Sequence, residues 1–268
     1  MIMMHGLVRK ICICAVLGVV HISFYMPSAF AESRMLTKDT KLHPQGWAVG
    51  DVVEFRKDTL ITVNELGEVV SGTLENDTFL RPTGWDRIIG DYYQKTTYDG
   101  MGFFPHRYYH PYVERVYHTD IPGYGHLMYK SGTTVIFDAQ GHVVTGTIKD
   151  GATVQLIKGK YGFITFKGGT VLTFYDSGAV RSGILEEDTY LRPLGWRSLP
   201  AELQSAGFLK FSAKKSVTFN ENGEVVSGTL KDPAELRSED GGIKAVKAGS
   251  VIHFNEAGEI SIEAGETK

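Results

Sequence analysis

The sequence predicts an all-β fold, an open array of stacked antiparallel β-hairpin repeats. Three observations predict it. One line recurs five times, clearest as Val217-Thr-Phe-Asn-Glu-Asn-Gly-Glu-Val-Val-Ser-Gly-Thr-Leu230. Within each copy apolar and polar residues alternate, which is the period of a strand with one buried face. A short turn ending in glycine separates two such runs, as in a hairpin. Repetition of this kind marks an architecture in which each unit buries its apolar face against the next.

Residues 1–31 read as a secretory signal and stand outside the fold. Arg9 and Lys10 form a basic start, Ile11 to Met26 a short apolar run, and Ala29-Phe30-Ala31 an A-x-A cleavage site. The run is about sixteen residues and carries His21 and Ser23, short of the roughly twenty that span a bilayer. Cleavage after Ala31 therefore leaves a chain of residues 32–268 with no transmembrane segment. Both cysteines, Cys12 and Cys14, lie inside the apolar run and depart with it. The exported chain must then be held by strand pairing and core burial without disulfides. Loss of the leader removes two bases and no acid, taking the formal charge from −3 to about −5. With no basic stripe, nucleic acid is not the expected partner.

Aligned on their turn glycines, Gly67, Gly141, Gly178, Gly223 and Gly258, the units share three apolar columns. Six residues before the glycine stand Ile61, Val135, Leu172, Val217 and Ile252. Four before stand Val63, Phe137, Phe174, Phe219 and Phe254, and two after stand Val69, Val143, Val180, Val225 and Ile260. The first two columns lie on one face of a strand, and the third opens the returning strand. A turn such as Asn-Glu-Asn-Gly places its glycine in the left-handed region.

A second glycine follows five residues later in four units, as Gly72, Gly146, Gly183 and Gly228. Glycine inside a strand needs a reason. Val69 and Leu74 are an odd number of residues apart, so a bulge at Gly72 would turn both inward. The alternative is a neighbouring aromatic ring lying on bare backbone.

Three units run on into a longer signature, ending at Trp47, Trp85 and Trp196, the three tryptophans of the chain. The best preserved copies are Asp77-Thr-Phe-Leu-Arg-Pro-Thr-Gly-Trp85 and Asp188-Thr-Tyr-Leu-Arg-Pro-Leu-Gly-Trp196. The Asp-Thr pair is expected to close a side-chain to backbone turn, the Leu to enter the core, and the Pro to stop further pairing. Each Trp can serve as a lid on the core edge or as a platform for sugar rings or cations, with Arg81 and Arg192 placed to stack or donate hydrogen bonds.

The tail of a unit, Leu36 to Trp47, opens the exported chain, and the head of one, Ser250 to Ile262, closes the recognisable repeats. In a small β-propeller such halves pair and shut the ring. Turn glycines spaced 74, 37, 45 and 35 residues apart favour the open array instead.

The rhythm of Phe219-Asn-Glu-Asn-Gly-Glu-Val-Val-Ser-Gly228 resembles bacterial repeats of the MORN type, and the Gly-Trp endings resemble choline-binding cell-wall repeats. The units here are longer than either family's, and they lack the Tyr and Trp pairs of a choline pocket. Both resemblances imply a binding or scaffold role.

After Trp85 the connector swells into an insert, residues 86–126, holding eight of the thirteen tyrosines. Its centre reads Phe103-Phe-Pro-His-Arg-Tyr-Tyr-His-Pro-Tyr112. Insertions in repeat arrays gather on one edge and carry contacts, which makes Tyr108, Tyr109 and Tyr112 candidate ligand-binding residues. His106 and His110, four apart, with His118 further on, are conceivable metal ligands. Pro105 and Pro111 interrupt any long helix, however, and the spacing matches no familiar zinc signature, so no cofactor is expected.

No nucleophile turn, His-Glu-x-x-His or phosphate loop occurs, and the exported chain has no cysteine nucleophile. The expectation is a non-catalytic protein, secreted or periplasmic, that binds or organises cell-envelope glycan or protein. The alternatives are a self-assembling β module and a metal-dependent hydrolase centred on the insert. One short helix is expected at Pro200 to Ser205, opened by Ser198 and Pro200 and closed by Gly207.

Overall fold

The computed structural model describes residues 31–47, 51–89, 125–157, 162–198 and 207–262. The helix expected at Pro200 to Ser205 lies outside them. So do the leader and residues 90–124, the bulk of the insert.

Each full repeat contains four strands, two more than the hairpin itself. The described residues open with a partial unit, β1 (Glu32–Met35) and β2 (Thr40–Leu42). The first full unit follows as β3 (Val53–Phe55), β4 (Leu60–Val63), β5 (Val69–Thr73) and β6 (Thr78–Leu80), with an extra strand β7 (Ile88–Ile89). The second unit is β8 (Leu127–Tyr129), β9 (Thr134–Phe137), β10 (Val143–Thr147) and β11 (Ala152–Gln155). The third is β12 (Phe163–Phe166), β13 (Val171–Phe174), β14 (Val180–Ile184) and β15 (Thr189–Leu191). The fourth is β16 (Leu209–Phe211), β17 (Ser216–Phe219), β18 (Val225–Thr229) and β19 (Ala234–Arg237). A fifth has three strands among the described residues, β20 (Ile243–Val246), β21 (Val251–Phe254) and β22 (Ile260–Ile262).

The middle two strands of every unit join one antiparallel sheet of eleven strands, in the order β1-β4-β5-β9-β10-β13-β14-β17-β18-β21-β22. This sheet is open. The two partial units do not pair with each other but lie at opposite edges, so no ring closes. The last strand of one unit pairs with the first of the next, as in β2 with β3, β6 with β8 and β15 with β16. These short ladders form a second layer facing the large sheet, and β7 adds a third strand beside β11 and β12.

Between the layers runs one continuous core, and all three predicted columns enter it: Ile61, Val135, Leu172, Val217 and Ile252 are each no more than 1 % exposed. Turn glycines carry φ of 79°, 82°, 78°, 76° and 75° along the chain, the left-handed conformation that side chains resist. Burying each Phe or Leu of this core stabilises by about 1.5–3 kcal/mol.

Both reasons offered for the second glycine operate, at different residues. The register slips one residue between Val69 and Ser71, and likewise in the second, third and fourth units, so the bulge precedes the glycine. It turns Val69, Gly72 and Leu74 inward together. The glycine itself is needed because an aromatic ring lies on it. A β-carbon at Gly72, Gly146, Gly183 or Gly228 would sit 2.6, 2.6, 2.5 or 2.7 Å from Phe55, Tyr129, Phe166 or Phe211. Those rings come from the first strand of the same unit. In the fifth unit, which lacks the second glycine, β21 and β22 pair without a slip.

Among the described residues no helix is long and apolar enough to cross a membrane. Two single 3-10 turns occur among the described residues, Trp85–Arg87 and Trp196–Ser198, each beginning at a signature tryptophan.

Candidate ligand-binding cleft

The Gly-Trp endings act as straps that reach past the adjacent unit to the one beyond. The proline does not stop pairing as expected. Pro44, Pro82 and Pro193 each sit in a parallel bridge with Val69, Val143 and Val225 of the next unit. Flanking residues make the bonds, for example Thr83 N–H to the Val143 carbonyl at 3.0 Å and Val143 N–H to the Arg81 carbonyl at 2.8 Å, so the missing proline N–H costs nothing. The strap then runs on. Trp47 Nε1 donates 2.8 Å to the carbonyl of Gly141, the turn glycine two units along. Gly84 packs against Gly178 and Gly195 against Gly258 in the same relation.

The Asp-Thr pair also divides its work differently from the expectation. The threonine closes the local turn: Thr78 Oγ1 donates 2.8 Å to the Asn76 carbonyl, and Thr189 Oγ1 donates 2.8 Å to the Glu187 carbonyl. The aspartate reaches away, Asp77 accepting from Ser131 N–H at 2.8 Å and Asp188 from Ala213 N–H at 2.7 Å. Lys149 and Lys231 complete these contacts at 2.5 and 2.9 Å. Hydrogen bonding holds both aspartates below the usual carboxylate range, led by Lys149 at Asp77 and by the Ala213 amide at Asp188.

Two straps carry the Arg and Trp stacks foreseen. The Arg81 guanidinium carbon lies 4.6 Å from the centre of the Trp85 ring, and that of Arg192 lies 4.4 Å from Trp196. Arg197 covers Trp196 as well, at 4.7 Å, and Phe208 approaches Arg192 at 5.1 Å. The three tryptophans occupy three separate straps and build no common platform. Trp47 is committed to Gly141, and the ring of Trp85 meets Gly125, where the chain returns from the insert.

Of the residues named from sequence, Trp196 and Arg192 line a sizeable cleft among the described residues. It has a volume of about 560 Å³. One wall is Phe163 and the Leu156-Ile157 tail of the second unit, another is Tyr190 with Phe208, and Glu221 and Glu224 close it at the turn of the fourth unit. Arg87 and Arg197 complete the lining, Arg87 being held by a 3.3 Å hydrogen bond from Nη1 to the Leu156 carbonyl. Tyr190, Phe163 and Phe208 are 62 %, 48 % and 41 % exposed, large rings left in water at one site.

The cleft opens where a strap is altered. β11 pairs Ala152 with Phe166 as β6 pairs Thr78 with Tyr129, which equates Leu156 with Pro82 and Gly159 with Trp85. The second unit thus lacks the Gly-Trp ending, and Leu156 and Ile157 meet the turn glycine two units along, Gly223, in its stead.

Tyr108, Tyr109 and Tyr112, and the histidines His106, His110 and His118, lie outside the described residues. Among the described residues no three His, Cys, Asp or Glu side chains are grouped to hold a metal ion. Tyr190, Phe163 and Phe208 were missed from sequence, although the signal was present. Leu191 and the pair Ile164 and Phe166 point inward, which forces Tyr190 and Phe163 outward. Neither the family models, nor the curated proteins, nor the solved structures contain a match to this chain.

Proposed function

We propose that the chain is an exported, non-catalytic binding protein that holds cell-envelope glycan or protein in the cleft around Trp196, with the hairpin array as frame. One observation carries this reading: three exposed aromatic rings and three arginines converge on a single cleft of about 560 Å³. Ligand sites are concave, largely apolar and equipped with a few oriented polar groups, as here. Straps tie the first unit to the third and the third to the fifth, which holds the units that bear the walls in place and lowers the ordering cost of binding. The Tyr/His insert, whose described ends at Ile88–Ile89 and Gly125 are fastened to β11 and Trp85, is proposed as additional contact surface. Export rests on the N-terminal leader.

Cosedimentation of the purified chain with isolated envelope fractions tests the reading. Tyr190→Ala and Arg197→Gln alter exposed cleft residues, and a third variant replaces residues 91–123 by a Gly-Ser linker. Binding lost in the two cleft variants supports the cleft. Binding lost only in the linker variant moves the contact to the insert, and no binding by the unaltered chain refutes the reading.

A second reading, a self-assembling module, is favoured by the open sheet, whose outer strands β1 and β22 each leave one edge unpaired among the described residues. It requires sedimentation to depend on protein concentration in the absence of any envelope material.

A further inference from the structure

We propose that the cleft takes a carboxylate-bearing sugar, an acidic pyranose unit of a polysaccharide; the inference rests on the binding role assigned above to the same cleft. Charge is the first ground. Arg87, Arg192 and Arg197 outnumber Glu221 and Glu224 in the lining, and Lys210 Nζ lies 5.3 Å from the centre of the Tyr190 ring, so the cleft is net positive and suits an anion.

Arg192 supplies the second ground. Its guanidinium lies between the rings of Trp196 and Phe208, 4.4 and 5.1 Å from their centres, which fixes the plane of the fork. Among the described residues it has no carboxylate partner, and its Nε, like Trp196 Nε1, is buried without a hydrogen-bond acceptor. A half-buried guanidinium whose Nε is cut off from water and whose charge has no partner gains from an arriving anion. A planar carboxylate is the anion that a guanidinium fork matches best.

The remaining lining describes what carries that carboxylate. Tyr190, Phe163 and Phe208 offer flat faces of the kind that stack on the C–H face of a pyranose ring. Glu221 and Glu224 accept hydrogen bonds from hydroxyl groups. A fatty acid would leave those acceptors facing hydrocarbon, and a neutral sugar would leave Arg192 uncompensated.

The test uses the full exported chain and tetrasaccharides of galacturonate, glucuronate and mannuronate, each compared with its methyl ester, by titration calorimetry. At least one acid should bind and its ester bind roughly tenfold more weakly or worse, since the ester removes the charge and adds no more than a methyl group. Arg197→Gln, which removes one of the lining positive charges, and Tyr190→Ala should each weaken the acid several-fold. Both residues are exposed, and circular dichroism checks that the variants fold. Equal binding of acid and ester overturns the carboxylate while leaving the cleft as a sugar site. Failure of every acid, with envelope binding still lost in the cleft variants, overturns the ligand class alone. Failure of every acid with envelope binding unaffected by those variants overturns both readings.

Discussion

The indole nitrogen of Trp47 and the carbonyl of Gly141, ninety-four residues apart in the chain, are joined by a 2.8 Å hydrogen bond. The bond ties the opening partial unit to the second full unit and passes over the first. Replacing Trp47 by Phe keeps most of the buried ring and removes the donor. The expected loss is about 1 kcal/mol, read as a lower urea midpoint. Trp196→Phe removes an N–H that has no acceptor among the described residues, so it should not show the same hydrogen-bond loss.

Two classes of glycine should respond differently to alanine. Gly67 has φ of 79° and nothing within 4 Å of an added β-carbon, so Gly67→Ala costs only backbone strain, about 1–2 kcal/mol. Gly183 has ordinary φ, but its β-carbon would lie 2.5 Å from the Phe166 ring and 2.9 Å from Leu172. Displacing a packed core ring costs about 1–3 kcal/mol, and Phe166→Leu in the same chain should restore part of it. Rescue at Gly183 with none at Gly67, in a double-mutant cycle, checks the distinction.

Tyr129 occupies the column held elsewhere by Phe55, Phe166 and Phe211, and its hydroxyl is buried without a partner among the described residues. Tyr129→Phe is therefore expected to stabilise by about 1 kcal/mol at neutral pH. Burial pushes the phenol far above its ordinary value. The folded state thus keeps its proton where the unfolded chain, ionising near pH 10, loses it, and stability falls as pH rises beyond about 10. The variant should flatten that alkaline decline, measured by urea unfolding between pH 8 and 11.

The signature aspartates predict the opposite pH response. Asp77 and Asp188 are held below the usual range, so what they contribute is present above the ordinary carboxylate value and is lost as pH falls through their lowered one. Asp77→Ala and Asp188→Ala should each lower the midpoint at pH 7. The gap from the unaltered chain should close in strong acid, as a denaturation series down to pH 2 would show.

Much of this fold was legible because its signals are local. Period-two columns such as Ile61 and Val63, and turn glycines such as Gly67, state their burial and backbone within a few residues. The first strand of each unit was harder to read. Val53–Phe55 is only three residues long and follows connectors of unequal length, so it does not read as a strand on its own, although its ring, the reason for Gly72, stands twelve residues before the turn glycine in all four full units, as Phe55, Tyr129, Phe166 and Phe211. Contacts that skip a unit leave no periodic trace at all, which is why Trp47 could be read as a lid but not as a partner of Gly141. The cleft is the extreme case. It arises where the second unit departs from the Gly-Trp pattern, and its walls come from four units; sequence reasoning supplied Arg192 and Trp196 but not the rings opposite them.

Ten antiparallel steps separate β1 from β22, so these outermost strands point the same way. The parity governs symmetry. Copies stacked by simple translation would have to join unlike edges in parallel, whereas a two-fold axis joins like edges in the antiparallel manner used throughout the sheet. Edge-to-edge association in that manner would give isologous pairs. Were both edges used alternately, a filament would have two-fold axes at every junction and no polarity, its two ends being equivalent.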